Sequence, residues 1–144
     1  MKKTSILAAV LIIVGFAFIA WQKTDQGRQN KSDAGMGNTT LAEVLLPSTL
    51  SQSAQIGKRA FEEKCMACHG INAAGQVEVA PPLVHKIYEP SHHGDESFQR
   101  AASLGVRAHH WSFGDMPAVE GLTRGDVTMI VAYIRELQRT NGIN

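Results

Sequence analysis

Cys65-Met66-Ala67-Cys68-His69 is the stretch of this chain most densely loaded with reactive side chains. Two thiols three residues apart lie on neighbouring positions of one helical turn, within reach of the two vinyl groups of a single haem. The imidazole that follows then falls under the iron. On this reading Cys65 and Cys68 each carry a thioether and His69 is the proximal axial ligand. No other cysteine occurs in the chain. The spacing also serves other chemistry. A thioredoxin-like redox pair needs a βαβ context, and no strand pattern here supplies one. A structural zinc site needs four ligands, and there is no second C-x-x-C. A plain disulfide in an exported protein is the third alternative. The sequence downstream favours haem over all three.

Helices must hold that turn. Ser53 is placed to cap a first helix, with Ile56, Ala60, Phe61 and Lys64 following at helical spacing into the Cys-Cys-His turn. Gly70, Gly75, Pro81 and Pro82 mark residues 70–83 as loop. A second helix is predicted from Asp95 to Leu104, with Phe98, Ala101, Ala102 and Leu104 apolar and Gly105 as its stop. Residues 105–122 read as irregular. Thr123, with Asp126 three residues on, opens a last helix in the manner of a capping box. Val127, Ile130, Val131, Ile134 and Leu137 give that helix an amphipathic stripe, and Gly142 ends it. The predicted fold class is all-α, with no repeat.

Ahead of this lies a different kind of sequence. Lys2 and Lys3 precede an uncharged run of 18 residues, Thr4 to Trp21. As a helix that run spans about 27 Å, close to the hydrocarbon thickness of a bilayer. Trp21 and Lys23 follow where interfacial anchors belong. We read 1–21 as an uncleaved, single-pass anchor in the cytoplasmic membrane, its lysines in the cytoplasm and the remainder on the periplasmic side. The alternative is a signal cleaved after Ala17 or Ala20, leaving a soluble periplasmic protein. Residues 22–52 are assigned to a flexible tether, rich in Gln, Asn, Lys, Asp, Gly and Thr over 22–40. Its reach over 22–50 as coil is roughly 30 Å. Within it Leu41 to Pro47 is apolar enough for a short helix on the outside of the domain, or is simply more linker. The haem-binding domain is assigned to 53–144.

The composition bounds the partners. The 144 residues allow one domain and a tail. Only 6% are aromatic, so a cofactor's apolar surface would help so small a domain build a core. The net charge of +1 gives no reason to expect nucleic acid or an acidic substrate. Five of the six histidines, His85, His92, His93, His109 and His110, lie in one stretch of 26 residues. Imidazoles suit copper or zinc, but no acidic or cysteine partner stands at a clean spacing. The reading taken is therefore an exposed set that shapes a docking face, with a second metal site as the alternative.

Taken together, residues 53–142 resemble a class I cytochrome c. In that family the first and last helices cross closely, with a glycine at the crossing and two aromatics packed there. Gly57, Phe61 and Tyr133 match those positions. Ala80-Pro81-Pro82-Leu83 is similar to the family's Gly-Pro-x-Leu, in which the proline carbonyl accepts a hydrogen bond from the proximal imidazole. Pro81 takes that role here, and Ala80 departs from the pattern. Gly114-Asp115-Met116-Pro117 resembles the family's distal loop, which makes Met116 the implied sixth iron ligand. Met1, Met36, Met66 and Met129 sit in the signal, the tether, the cysteine turn and the last helix, and compete poorly. Arg107 and Trp111 are candidates for holding a haem propionate, because both donate to a carboxylate. Their plainer roles are a surface cation and a packing ring.

The resemblance implies one covalent haem c, His69/Met116 ligation, and an electron carrier cycling between Fe(III) and Fe(II) rather than an enzyme. With the anchor, it implies redox partners among membrane respiratory complexes and no nucleic acid. Two alternatives stand: a haem sensor or enzyme with a labile Met116, and a metal-handling protein using the histidine-rich segment.

Overall fold

The computed structural model describes residues 40–144. The expected anchor (1–21) and most of the tether lie outside the described residues, and no helix among those described is long and apolar enough to cross a membrane.

Among the described residues four α-helices make up the frame: α1 (Gln52–Lys64), α2 (Met66–His69), α3 (Asp95–Leu104) and α4 (Arg124–Thr140). Short 3-10 turns lie at Ile71–Ala73 and Lys86–Tyr88. Among the described residues there is no strand, only the isolated bridges Gln76–Ala80 and Val106–Met116. The all-α expectation holds for these residues.

The helix starts follow capping chemistry. Thr123 accepts from the Asp126 amide while the Asp126 carboxylate takes the Thr123 N–H at 2.8 Å, so both halves of the capping box form. The cap of α1 is Ser51, not Ser53, its hydroxyl accepting from Ala54 N at 3.2 Å. Both serines are competent caps. Ser51 prevails because its own N–H is held by Glu136 of α4 at 3.1 Å and Leu50 packs on the core just before it. Asp95 and Glu96 sit in the first turn of α3, where the helix dipole favours negative charge.

The helices α1 and α4 form the main packing interface. The apolar stripe of α4 (Val127, Ile130, Val131, Ile134 and Leu137) is buried as expected. Against it lie Ala54, Gly57 and Phe61 of α1. At the crossing, a Cβ on Gly57 would stand 1.7 Å from the Met129 carbonyl oxygen, so no side chain fits. The Phe61 and Tyr133 rings pack one turn on, 5.7 Å between centroids and tilted by 57°. Ile56, expected on the apolar face, is 42% exposed.

Leu41 to Pro47 forms no helix. Its backbone is used otherwise: Leu41 and Ala42 N–H groups donate to the Ala74 carbonyl, and Asn141 bonds both the N–H and the C=O of Leu45. Val44 and Leu50 pack on the core. The described part of the expected tether therefore lies along the domain, which starts earlier than residue 53.

Candidate functional site

A break in the first helix creates the site. Cys65 leaves helical geometry (φ −120°), closing α1 with its N–H on the Phe61 carbonyl, and α2 then restarts for a single turn. Cys65 is half-buried, Cys68 is exposed and His69 is buried. No disulfide joins the cysteines. Burial, and then the neighbouring Cys68 sulfur, pushes the Cys65 thiol up to about 11. It is therefore a protonated thiol at neutral pH rather than a poised redox thiolate.

The His69 Nδ1 lies 2.9 Å from the Pro81 carbonyl oxygen. A carbonyl only accepts, so Nδ1 carries the proton and Nε2 keeps its lone pair for a metal. Burial lowers the pKa of this imidazole, partly offset by the Pro81 bond, and keeps it neutral. Ala80 does not need the family's glycine: its φ is not positive, and it pairs with Gln76 through bonds of 2.9 and 3.2 Å. Gln76 in turn donates to the Ala67 carbonyl at 2.8 Å, tying this loop to the cysteine turn.

Cys65, Cys68, His69 and Pro81 open onto a cavity of about 700 Å³, walled largely by apolar side chains from α3 and α4 such as Phe98, Val127, Ile130 and Ile134. Across it lies the loop 105–117. Val106 and Met116 exchange two backbone hydrogen bonds of 2.9 Å, which turns Met116 towards the cavity side of the domain. Gly105 makes that pairing possible. It has φ +77°, and a Cβ there would fall 2.4 Å from the Met116 carbonyl oxygen. Of the described methionines, Met116 alone lines the cavity.

Arg107 and Trp111 line the same cavity, Arg107 exposed at its rim. The Trp111 indole N–H is buried and makes no hydrogen bond. The Tyr88 hydroxyl is near enough for the indole to oppose the burial that raises its pKa, yet outside bonding geometry. A buried donor without an acceptor is costly, and a propionate oxygen would relieve it. An apolar cavity with two thiols and a neutral imidazole on one side, a thioether on the other and an unpaired donor inside fits a covalent haem.

The family model for cytochrome c matches residues 54–138. This chain belongs to the cytochrome c family. It is 41% identical over 96 residues to the cbb3-type cytochrome c oxidase subunit FixP of Bradyrhizobium sp. (strain ORS 278), covering 64% of this chain and 30% of that protein. It is 32% identical over 100 residues to thiosulfate dehydrogenase of Psychrobacter arcticus, covering 67% of this chain and 29% of the relative. The chain thus spans under a third of the length of these relatives. No solved structure matches it. As a cytochrome c it carries covalently bound haem c and serves electron transfer.

Sequence reasoning missed Arg135 and Gln138. Arg135 is buried within α4, donating to the Tyr88 carbonyl (2.7 Å), the His93 carbonyl (2.5 Å), Asp95 (2.9 Å) and Gln138 (2.6 Å). It also lies 5.1 Å from the Phe98 ring centroid, a cation–π distance. Gln138 donates to the Leu83 carbonyl at 2.8 Å. Together they hang the segment 83–95 from α4. A signal was present: Arg135 and Gln138 continue the buried stripe at four residues beyond Val131 and Ile134, polar residues on an apolar face.

Proposed function

We propose that this cytochrome c is a monohaem, class I carrier of single electrons, with His69 and Met116 as axial ligands. Residues 1–21 anchor it in the cytoplasmic membrane with the haem domain on the periplasmic side, where it serves a respiratory complex. The observation that supports the ligation is that Met116 lines the same cavity as His69, with no other described methionine there. The similarity to a cbb3-type oxidase subunit supports a respiratory partner.

The haem supplies the Fe(III)/Fe(II) couple. The chain's residues do the rest. Cys65 and Cys68 hold the group by thioethers. The Pro81 carbonyl orients the His69 ring and raises its basicity. The Met116 sulfur would favour the reduced metal, and Arg107 and the Trp111 N–H would be available to the propionates. The apolar wall of α3 and α4 keeps water out. With His69 and Met116 both given to the iron, no ligand position would remain for a substrate, which favours a carrier over an enzyme.

The test is Met116→Ala in a His109→Ala, His110→Ala background, which stops a neighbouring imidazole from taking the vacated position. Expected are loss of the ferric sulfur-to-iron absorption band, ready binding of added imidazole or cyanide, and a fall in potential of about 100 mV or more, equivalent to about 2 kcal/mol. A wild type without that band, or a variant with unchanged potential and ligand binding, overturns the ligation. A haem sensor or enzyme with a labile Met116 would instead bind the added ligands in wild type.

A further inference from the structure

The carrier reading leaves the histidine-rich segment unused. The fold gathers part of it at one point. His92 and His93 lie on the turn before α3, and His110 lies on the loop that carries Met116. Ligand nitrogens of His92, His93 and His110 all fall within 4.8 Å of one another. The Nε2 atoms of His92 and His110 are 3.4 Å apart. Two imidazole nitrogens on a tetrahedral ion at about 2.0–2.1 Å each would be separated by about 3.3 Å. A single N–H···N bond could satisfy His92 and His110, but the third ring converges as well: His93 lies 4.7 Å from His92 and 5.2 Å from His110 between centroids.

The supports are those of a metal site. His93 Nδ1–H donates to the Ile87 carbonyl at 2.6 Å, which leaves Nε2 with its lone pair. A backbone carbonyl on the far nitrogen is the usual way a metal-binding histidine is oriented. Its turn is fixed from both sides. The His92 and His93 amides donate to the Glu89 carbonyl at 3.0 and 2.8 Å, and the His93 carbonyl accepts from buried Arg135. The loop of His110 is fixed by the Val106–Met116 pair and by Ala108 N–H on Asp115 at 2.8 Å.

We propose that His92, His93 and His110 form a site for one divalent transition-metal ion of the copper or zinc type, bound by three imidazole nitrogens. The set holds no carboxylate, which disfavours magnesium and calcium, and imidazole suits copper and zinc. His92 and His110 are exposed, so a fourth position is open to water. Among the described residues the ligand nitrogens that converge are those of His92, His93 and His110, and neither His85 nor His109 joins the set. An ion here would link the turn hung from Arg135 to the loop of Met116.

The test uses the haem-loaded, full-length protein titrated with Cu(II) and with Zn(II) against a competing chelator. Expected is one ion per chain beyond the haem iron, copper tighter than zinc, and nitrogen hyperfine structure in the copper resonance spectrum. His92→Gln with His110→Gln should weaken binding by about 100-fold or more, with the haem absorption spectrum unchanged. His85→Gln should bind as wild type does. Equal binding by wild type and the double variant, an equal loss in His85→Gln, or copper resonance without nitrogen hyperfine in the wild type would each overturn the site. None of these outcomes touches the axial ligation, which is read from the haem spectrum.

Discussion

The two walls of the haem cavity are built on opposite principles. The wall of Cys65, Cys68, His69 and Pro81 is held by contacts close in sequence and stands on the α1–α4 crossing. His69 is buried, and its carbonyl partner lies twelve residues on. The facing wall is loop. Arg107, His109 and His110 are exposed, and the loop of Met116 closes on itself through one pair of backbone bonds. The adjoining turn hangs from a single buried cation of α4. Covalent attachment at two fixed sulfurs needs a rigid seat, whereas the other wall rests on fewer contacts. The prediction is that damage to the first wall unfolds the domain, while damage to the second loosens it locally.

The strongest test sets two glycines against each other. Gly57→Ala forces a Cβ into the Met129 carbonyl, so α1 and α4 must part, at about 3 kcal/mol or more. Gly114→Ala, in the loop of Met116, meets no atom within 4 Å and costs only the left-handed strain of φ +93°, about 1–2 kcal/mol. Denaturant midpoints of the haem-loaded variants measure both. Equal losses would erase the contrast.

Arg135→Met should cost about 2–3 kcal/mol, because the His93 carbonyl loses its buried donor and the Tyr88 carbonyl keeps only Gln138, at 3.1 Å. Its signature is local. Amide exchange should accelerate over residues 88–95 while the α1 amides stay protected. Uniform acceleration would mean that the two walls are one cooperative unit.

The smallest effect at neutral pH is Tyr133→Phe. Burial, and then the charge of Glu62, pushes the Tyr133 phenol up to about 12. Below pH 10 the phenol is protonated in both folded and unfolded chains. Between pH 10 and about 12 the unfolded chain has lost the proton and the folded one has not, so stability falls as pH rises. A two-unit shift corresponds to about 3 kcal/mol by pH 12. Tyr133→Phe should remove that part of the alkaline decline while giving up only the 3.3 Å bond to Asn72 at pH 7. An unchanged alkaline limb would show that Tyr133 ionises freely.

Much of the first wall was legible in the chain because its rules are local. The Cys-Cys-His spacing, the Thr123–Asp126 cap and the stripe from Val127 to Leu137 each act within one or two helical turns, where sequence distance and spatial distance coincide. The choice of Ser51 over Ser53 as cap was not legible, since Glu136 of α4 and the core under Leu50 decide it. Nor was the path of Leu41 to Pro47, whose apolar residues fit a short helix until Ala74 and Asn141 bind its backbone. Arg135 was overlooked although it interrupts an apolar face, because a polar residue there reveals nothing of its partners until the segment 83–95 folds back on α4.

By itself, then, the sequence determined the attachment chemistry and the identity of the helices, set by covalent spacing and by helical periods of three or four residues, while the pairing of Gly57 and Phe61 with Tyr133 was implied only by the resemblance to class I cytochromes c. Only the tertiary structure decided which nitrogens meet. His92 and His93 are separated from His110 by 18 and 17 positions, with α3 between them, and no periodicity links a turn to a loop. Their convergence comes from two anchors, distant Arg135 for the turn of His92 and His93 and the Val106–Met116 pair that closes the loop of His110. The unpaired N–H of Trp111 was likewise settled only by packing, since burial, not residue type, removes the water that would otherwise satisfy it.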